Sequence, residues 1–134
     1  MTTITSPKQV SPLPGLKPHI ESVEGVANIR SPRGIHGGPS GVVANFSMFL
    51  KDTYGVEVHI SNLRVNERSC SWNQLGVLGL EMGEGDTVDV ELAGDHPKRK
   101  LAAALKVFTD LLQDSNALEK NHLKEYYDRI EQIF

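Results

Sequence analysis

The sequence predicts an α+β open-faced sandwich: a four-stranded antiparallel sheet covered on one face by three helices, in the order β-α-β-β-α-β-α, with an additional C-terminal helix. Three observations predict it. Residues 56–60 and 87–92 alternate apolar and polar side chains, the period of a half-buried strand. Residues 40–52 and the stretch from Pro97 to Leu112 instead repeat apolar residues at three- and four-residue steps, the stripe of an amphipathic helix. Strands of this alternating kind interleaved with helices favour one antiparallel sheet with a single covered face.

The elements follow in order. Residues 1–23 hold Pro7, Pro12, Pro14 and Pro18, which break helices and central strands, so an extended or disordered arm is expected there. The segment Val26–Ser31 is a strand ended by Pro32. Val42, Val43, Phe46, Phe49 and Leu50 form the apolar stripe of the first helix, which Tyr54-Gly55 ends. Val56–Ile60 is the second strand, and Leu63 and Val65 alternate with Arg64 and Asn66 as its return strand. A short helix spans Asn73–Leu80, with Leu75, Leu78 and Val77 on its inner side. Gly83–Asp86 turns the chain into the last strand, Thr87–Leu92. Pro97 opens a helix with Leu101, Ala104, Leu105, Phe108 and Leu112 on one face. Asn116 with Glu119 resembles a capping box for a final helix carrying Leu123, Tyr126, Tyr127, Ile130 and Phe134. The organisation read from this is an arm (1–23), a main domain (24–115) and an additional helix (116–134).

Composition narrows the function classes. A hydrophobic share of 39% suits a globular core, and a formal charge of −3 gives no general case for a nucleic-acid partner. The single cysteine, Cys70, cannot form an internal disulfide or a cysteine-based zinc cage. The other histidines (His19, His59, His96, His122) are scattered, so neither a metal nor another cofactor is expected. No apolar run reaches membrane-spanning length, and the first residues lack the pattern of a signal peptide, so the expected location is cytoplasmic, with no membrane insertion. The basic run Lys98-Arg99-Lys100 reads as a solvated helix face.

Three segments carry a family resemblance. Gly34-Ile35-His36-Gly37-Gly38-Pro39-Ser40 stands between the first strand and first helix; Gln74–Asp86 holds the short helix and glycine turn; Val88–Asp95 holds the last strand and its exit. Together they resemble the histidine-containing phosphocarrier (HPr) family of the bacterial phosphotransferase system, whose first motif reads Gly-Leu/Ile-His-Ala-Arg-Pro-Ala. The resemblance implies an HPr-like fold and a phosphoryl group carried on His36. It also implies an enzyme I-like donor charged by phosphoenolpyruvate, an enzyme IIA-like acceptor, and a role in sugar transport as a relay rather than an independent catalyst. Surface on the first and short helices docks partners in that family, which makes Phe46, Leu75, Leu78 and Met82 docking candidates. The sequence departs from the pattern at Gly38, where the family has Arg.

Elementary chemistry supports a carrier histidine at this place. Imidazole, with an unperturbed pKa of about 6.5, is partly neutral and nucleophilic near neutral pH. A helix N-terminus offers unpaired N–H groups and the positive end of the helix dipole to a phosphoryl dianion. With His36 as cap, the amides of Gly37, Gly38 and Ser40 are its first-turn donors, while Pro39 has none to give. Arg33, three residues earlier, is the guanidinium within reach along the chain. The alternative is an HPr-like regulatory module that docks a partner without transferring phosphate.

Overall fold

The computed structural model describes residues 19–134. The chain runs β1 (Glu21–Asn28), α1 (Gly38–Tyr54), β2 (Glu57–Asn62), β3 (Glu67–Cys70), α2 (Gln74–Gly79), β4 (Thr87–Gly94), α3 (Lys98–Leu112), α4 (Ser115–Lys120) and α5 (Lys124–Ile133). The four strands form one antiparallel sheet in the order β1-β4-β2-β3. This is the predicted open-faced sandwich, with β4 and β2 in the centre.

The alternation in β4 and β2 decides which face is covered. Val88, Val90 and Leu92 of β4 and Val58 and Ile60 of β2 are fully buried, whereas Asp89, Glu91 and His59 point to the other face. The buried side meets Val43, Phe46 and Leu50 of α1, Val77 of α2, and Leu101, Ala104 and Phe108 of α3. The α3 stripe comes out as the sequence predicts, with Leu101, Ala104, Leu105, Phe108 and Leu112 all buried.

Four local expectations are corrected. The first strand begins at Glu21, inside the expected arm, because β1 pairs with the whole of β4 from Glu21↔Gly94 to Asn28↔Thr87; the rest of that arm, residues 1–18, lies outside the described residues. Leu63–Asn66 is a turn and the return strand is Glu67–Cys70. Turn chemistry wins over alternation there: the Asn62 side chain accepts from the Arg64 amide at 3.3 Å, and Asn66 takes a left-handed φ of 55°. In α2, Val77 is the buried residue and Leu75 is 78% exposed. Asn73 caps that helix, its side chain accepting from the Leu75 amide at 2.8 Å.

The fourth correction concerns the C-terminal segment, which is two helices rather than one. Asn121 adopts a left-handed φ of 57° and ends α4 after six residues. The cap is Asp114, not Asn116: one Asp114 carboxylate oxygen accepts from the Ala117 amide at 3.0 Å. Its other oxygen accepts from the Tyr126 hydroxyl at 2.6 Å, which ties α5 to the start of α4. Burial, reinforced by this bond to Asp114, raises the Tyr126 phenol above its ordinary range.

These helices pack outside the first helical layer, α4 against α1 and α3, and α5 against α3. Tyr127 meets the rings of Phe46 and Phe49 with centroids at 5.0 and 4.7 Å, and Phe134 stacks on Tyr54 at 4.6 Å. Edge and offset contacts of this kind add about 0.5–1.5 kcal/mol each to plain burial. The apolar face of α5 is thus buried on its own chain.

Replacing Tyr126 with Phe removes the hydroxyl and leaves one Asp114 oxygen without its partner. We expect a loss of about 1–2 kcal/mol in urea unfolding with an unchanged slope. No change in the midpoint would show that this bond does not hold α5 in place.

Candidate functional site

The site is built on the loop between β1 and α1, residues 29–37, and on the first turn of α1. After Asn28 the chain leaves the sheet but stays pinned to the Met82–Asp86 turn. The Ile29 amide donates to the Asp86 carbonyl, the Gly85 amide to the Ile29 carbonyl, and the Ile35 amide to the Met82 carbonyl, each at 2.8 Å. Between them, Gly34 sits with φ 72°, and a Cβ placed on it would lie inside 3.0 Å of the Met82 carbonyl oxygen. Only glycine satisfies both conditions. Ile35 is fully buried beside this contact, and the next residue, His36, is turned out to solvent.

The turn that receives the loop is itself rigid. One Asp86 carboxylate oxygen accepts from the Gly83 amide at 2.9 Å and the buried Asn62 amide at 3.1 Å, and the Arg64 Nε donates to the other at 2.8 Å. Burial works against the Asp86 charge, but the Gly83 amide, the Arg64 guanidinium and the Asn62 side chain outweigh it. They hold the carboxyl below its ordinary value.

His36 stands one residue before the cap of α1, which is Gly37 and not the histidine. Gly37 takes φ 55° and ψ −124°, a backbone conformation closed to other residues. The first α1 bond runs from the Gly41 amide to the Gly37 carbonyl at 3.3 Å, so the Gly38 amide lies in the unpaired first turn. Nothing lies within 4 Å of the positions a Cβ would take on Gly37 or Gly38, so the approach to His36 from that side is open.

Arg33, Gly34, His36, Gly37, Gly38, Pro39 and Glu119 line one cleft of about 410 Å³. The structure therefore brings together His36, Arg33, Gly37 and Gly38 of the residues singled out in the sequence. Ser40 is placed elsewhere: it is fully buried, its hydroxyl donates to the Gly37 carbonyl at 2.6 Å and accepts from Gln74 Nε2 at 3.0 Å. It braces the start of α1 against α2 and does not line the cleft. Among the docking candidates, Phe46 and Met82 are corrected, since both are fully buried in the core and cannot meet a partner. Leu75 stands out at 78% exposure and Leu78 is half-buried.

Two site features had no sequence signal. Gln74 links α2 to the α1 start from 34 residues away, and Glu119 reaches the cleft from α4, where its carboxylate accepts from the Ser31 hydroxyl at 3.2 Å. Both depend on long-range packing that no local pattern encodes. Among the described residues, no group of three or more His, Cys, Asp or Glu side chains is placed to hold a metal ion, and no helix is long and apolar enough to cross a membrane.

No protein-family model matches the chain, and no curated protein matches it in sequence. Solved structures do match in fold. The phosphocarrier protein HPr from Bacillus anthracis str. Ames superimposes with a TM-score of 0.56 at 13% identity, over 69% of this chain and 98% of that one. HPr-C-His from Thermoanaerobacter tengcongensis gives 0.51 at 14% identity, over 67% and 94%. The chain has the HPr-like fold, and α4 and α5 extend it.

Two predictions follow from the loop and its turn. Gly34→Ala should cost about 2–5 kcal/mol, combining left-handed strain with overpacking against the Met82 carbonyl; a midpoint unchanged in chemical denaturation would show that the loop is free to move. The lowered Asp86 carboxyl adds stability that is fully present above the ordinary carboxylate value of about 4 and is lost as pH falls through its folded value. Unfolding curves of the wild type and Asp86→Asn should therefore differ most above about pH 5 and draw together as pH falls below the ordinary carboxylate value of about 4; a difference that does not change with pH would remove the ionised Asp86 from the account.

Proposed function

We propose that this protein is a phosphocarrier in which His36 accepts a phosphoryl group from an enzyme I-like donor and passes it to an enzyme IIA-like acceptor. The observation that carries the reading is the position of His36: exposed, in an HPr-like fold, in one cleft with Arg33 and the first turn of a 17-residue helix. A neutral ring nitrogen attacks phosphorus, the new N–P bond forms as the bond to the donor's carrier atom breaks, and the electron pair of that bond leaves with the donor. Transfer onward reverses these roles with the acceptor as nucleophile. The carrier contributes position and charge: the α1 N-terminus and the Arg33 guanidinium face the phosphoryl oxygens. Chemistry of this kind needs little more than alignment and electrostatic stabilisation. Leu75, fully outside the core on α2, and Leu78 are the apolar contacts offered to a partner.

A second reading, a regulatory module that docks without transferring phosphate, is favoured by Gly38 at the family's Arg position and by the Glu119 carboxylate in the cleft. One experiment separates the two. Incubation with phosphoenolpyruvate and an enzyme I should give an acid-labile, base-stable adduct of one phosphoryl group, absent from His36→Ala. Arg33→Ala should slow its formation about tenfold or more, the weight of one charge-assisted contact. No adduct with a competent donor would overturn the carrier reading, and an unchanged rate in Arg33→Ala would remove that residue from the site.

A further inference from the structure

The Glu119 carboxylate is out of place in a cleft read as a phosphoryl site. It comes from α4, which follows the β-α-β-β-α-β-α series in the chain, and it lines the same cleft as His36 and Arg33. Its position is built rather than incidental. Ala117 and Leu118 anchor α4 in the core, Asp114 caps the helix, and the Ser31 hydroxyl donates to the Glu119 carboxylate from the loop that carries His36. None of the ion pairs among the described residues uses Glu119 or Arg33, so the two charges stand in the cleft without neutralising each other by contact.

We propose that Glu119 is a charge gate on the His36 cleft: its carboxylate opposes a dianionic phosphoryl group there and lowers the share of time that the cleft holds one. The inference rests on the reading of this cleft as a phosphoryl site. Its physical content is Coulombic. A phosphoryl group brings almost two negative charges into a space that already holds one, and the α1 N-terminus and Arg33 must outweigh that repulsion. The consequence is a carrier that gives up its phosphoryl group more readily than one lacking α4, and that holds free phosphate poorly. Glu119 is a positioning residue in this scheme: it sets the field in the cleft and takes no part in bond making.

The test uses the full chain and Glu119→Gln, which keeps an acceptor for the Ser31 hydroxyl and removes only the charge. Inorganic phosphate is titrated while the backbone amide signals of Gly37 and Gly38 are followed by NMR. At low salt Glu119→Gln should bind phosphate about five- to tenfold more tightly than the wild type, the size of a two-charge repulsion across a small solvated cleft. The gain should shrink at about 0.5 M salt, where the screening length falls to a few ångströms, and Glu119→Asp should restore weak binding. In a phosphorylation assay at fixed donor, the phosphorylated fraction should rise in the same order. Equal or weaker phosphate binding by Glu119→Gln, or a gain that salt leaves untouched, overturns the gate. If the wild type takes no phosphoryl group from a donor but Glu119→Gln still tightens phosphate binding with the expected salt dependence, the gate stands and the carrier reading falls.

Discussion

The contact on which the site depends is the approach of Gly34 to the Met82 carbonyl. The histidine loop has little structure of its own. It is held at both ends by backbone bonds to one turn, at Ile29 and at Ile35, and the chain between them must pass close to that turn. A left-handed glycine permits the approach, Ile35 enters the core, and the next residue, His36, faces outward. The direction of His36 is a consequence of burying Ile35. The turn can act as the anchor because Asp86 draws in an amide from each of Gly83 and Asn62 and the guanidinium of Arg64, so its charge-assisted bonds tie the turn to itself and to the chain at the end of β2. A loop on a frame of this kind keeps a nucleophile in one place without any element of its own.

The extra helices change what the first helical layer is. In a two-layer sandwich the outer sides of α1 and α3 face water and are polar. Here Phe49 and Tyr54 occupy that side of α1 and are covered by Tyr127 of α5 and by Phe134, which follows it. Phe46 consequently has aromatic neighbours both within the core, at Phe108, and above it, at Tyr127. The α1 helix is buried on two sides, which explains why its stripe is broad: Ser40, Val42, Val43, Ala44, Phe46, Ser47 and Leu50 are all buried. Two serines in that list are tolerated because each hydroxyl has partners, Ser47 with the Val43 carbonyl and Ser71, Ser40 with the Gly37 carbonyl and Gln74.

What was legible in the sequence followed the length of the periodic signal. The stripe of α3 and the alternation of β4 span enough residues to fix type and face together, and both appear as read. The return strand after β2 was misplaced because Leu63 and Val65 alternate with polar neighbours as strand residues do, whereas Asn62 and Asn66 favour the turn that the chain makes. In α2, six residues are too few to define a face: of the three apolar residues read as inward, Val77 is buried and Leu75 stands outside the core. The split of the C-terminal segment rests on one left-handed asparagine, which no apolar period reveals. Within the site, the parts close in sequence to His36 were readable and the parts brought by packing were not: Glu119 stands 83 positions later in the chain (119 less 36), and its helix belongs to the extension.

The fold therefore settles less about the chemistry than the motif suggests. A helix N-terminus next to an exposed imidazole attracts anions in any protein. The same arrangement serves transfer in one protein and docking in another, because function resides in the site and not in the architecture that carries it. What separates these outcomes here is the sum of charges inside one small cleft. Gly38 stands where the family places a guanidinium after its histidine, Arg33 lines the cleft from three residues before His36, and Glu119 lines it from α4. An arrangement with a weaker positive end and a built-in negative charge suits a group that passes through more than a group that stays. A carrier must release what it accepts, and a cleft that bound phosphate tightly would serve storage better than relay. The extension that covers α1 and α3 with aromatic rings is also the one that brings this carboxylate to His36, so the packing of α5 and the field in the cleft are two effects of the same added chain.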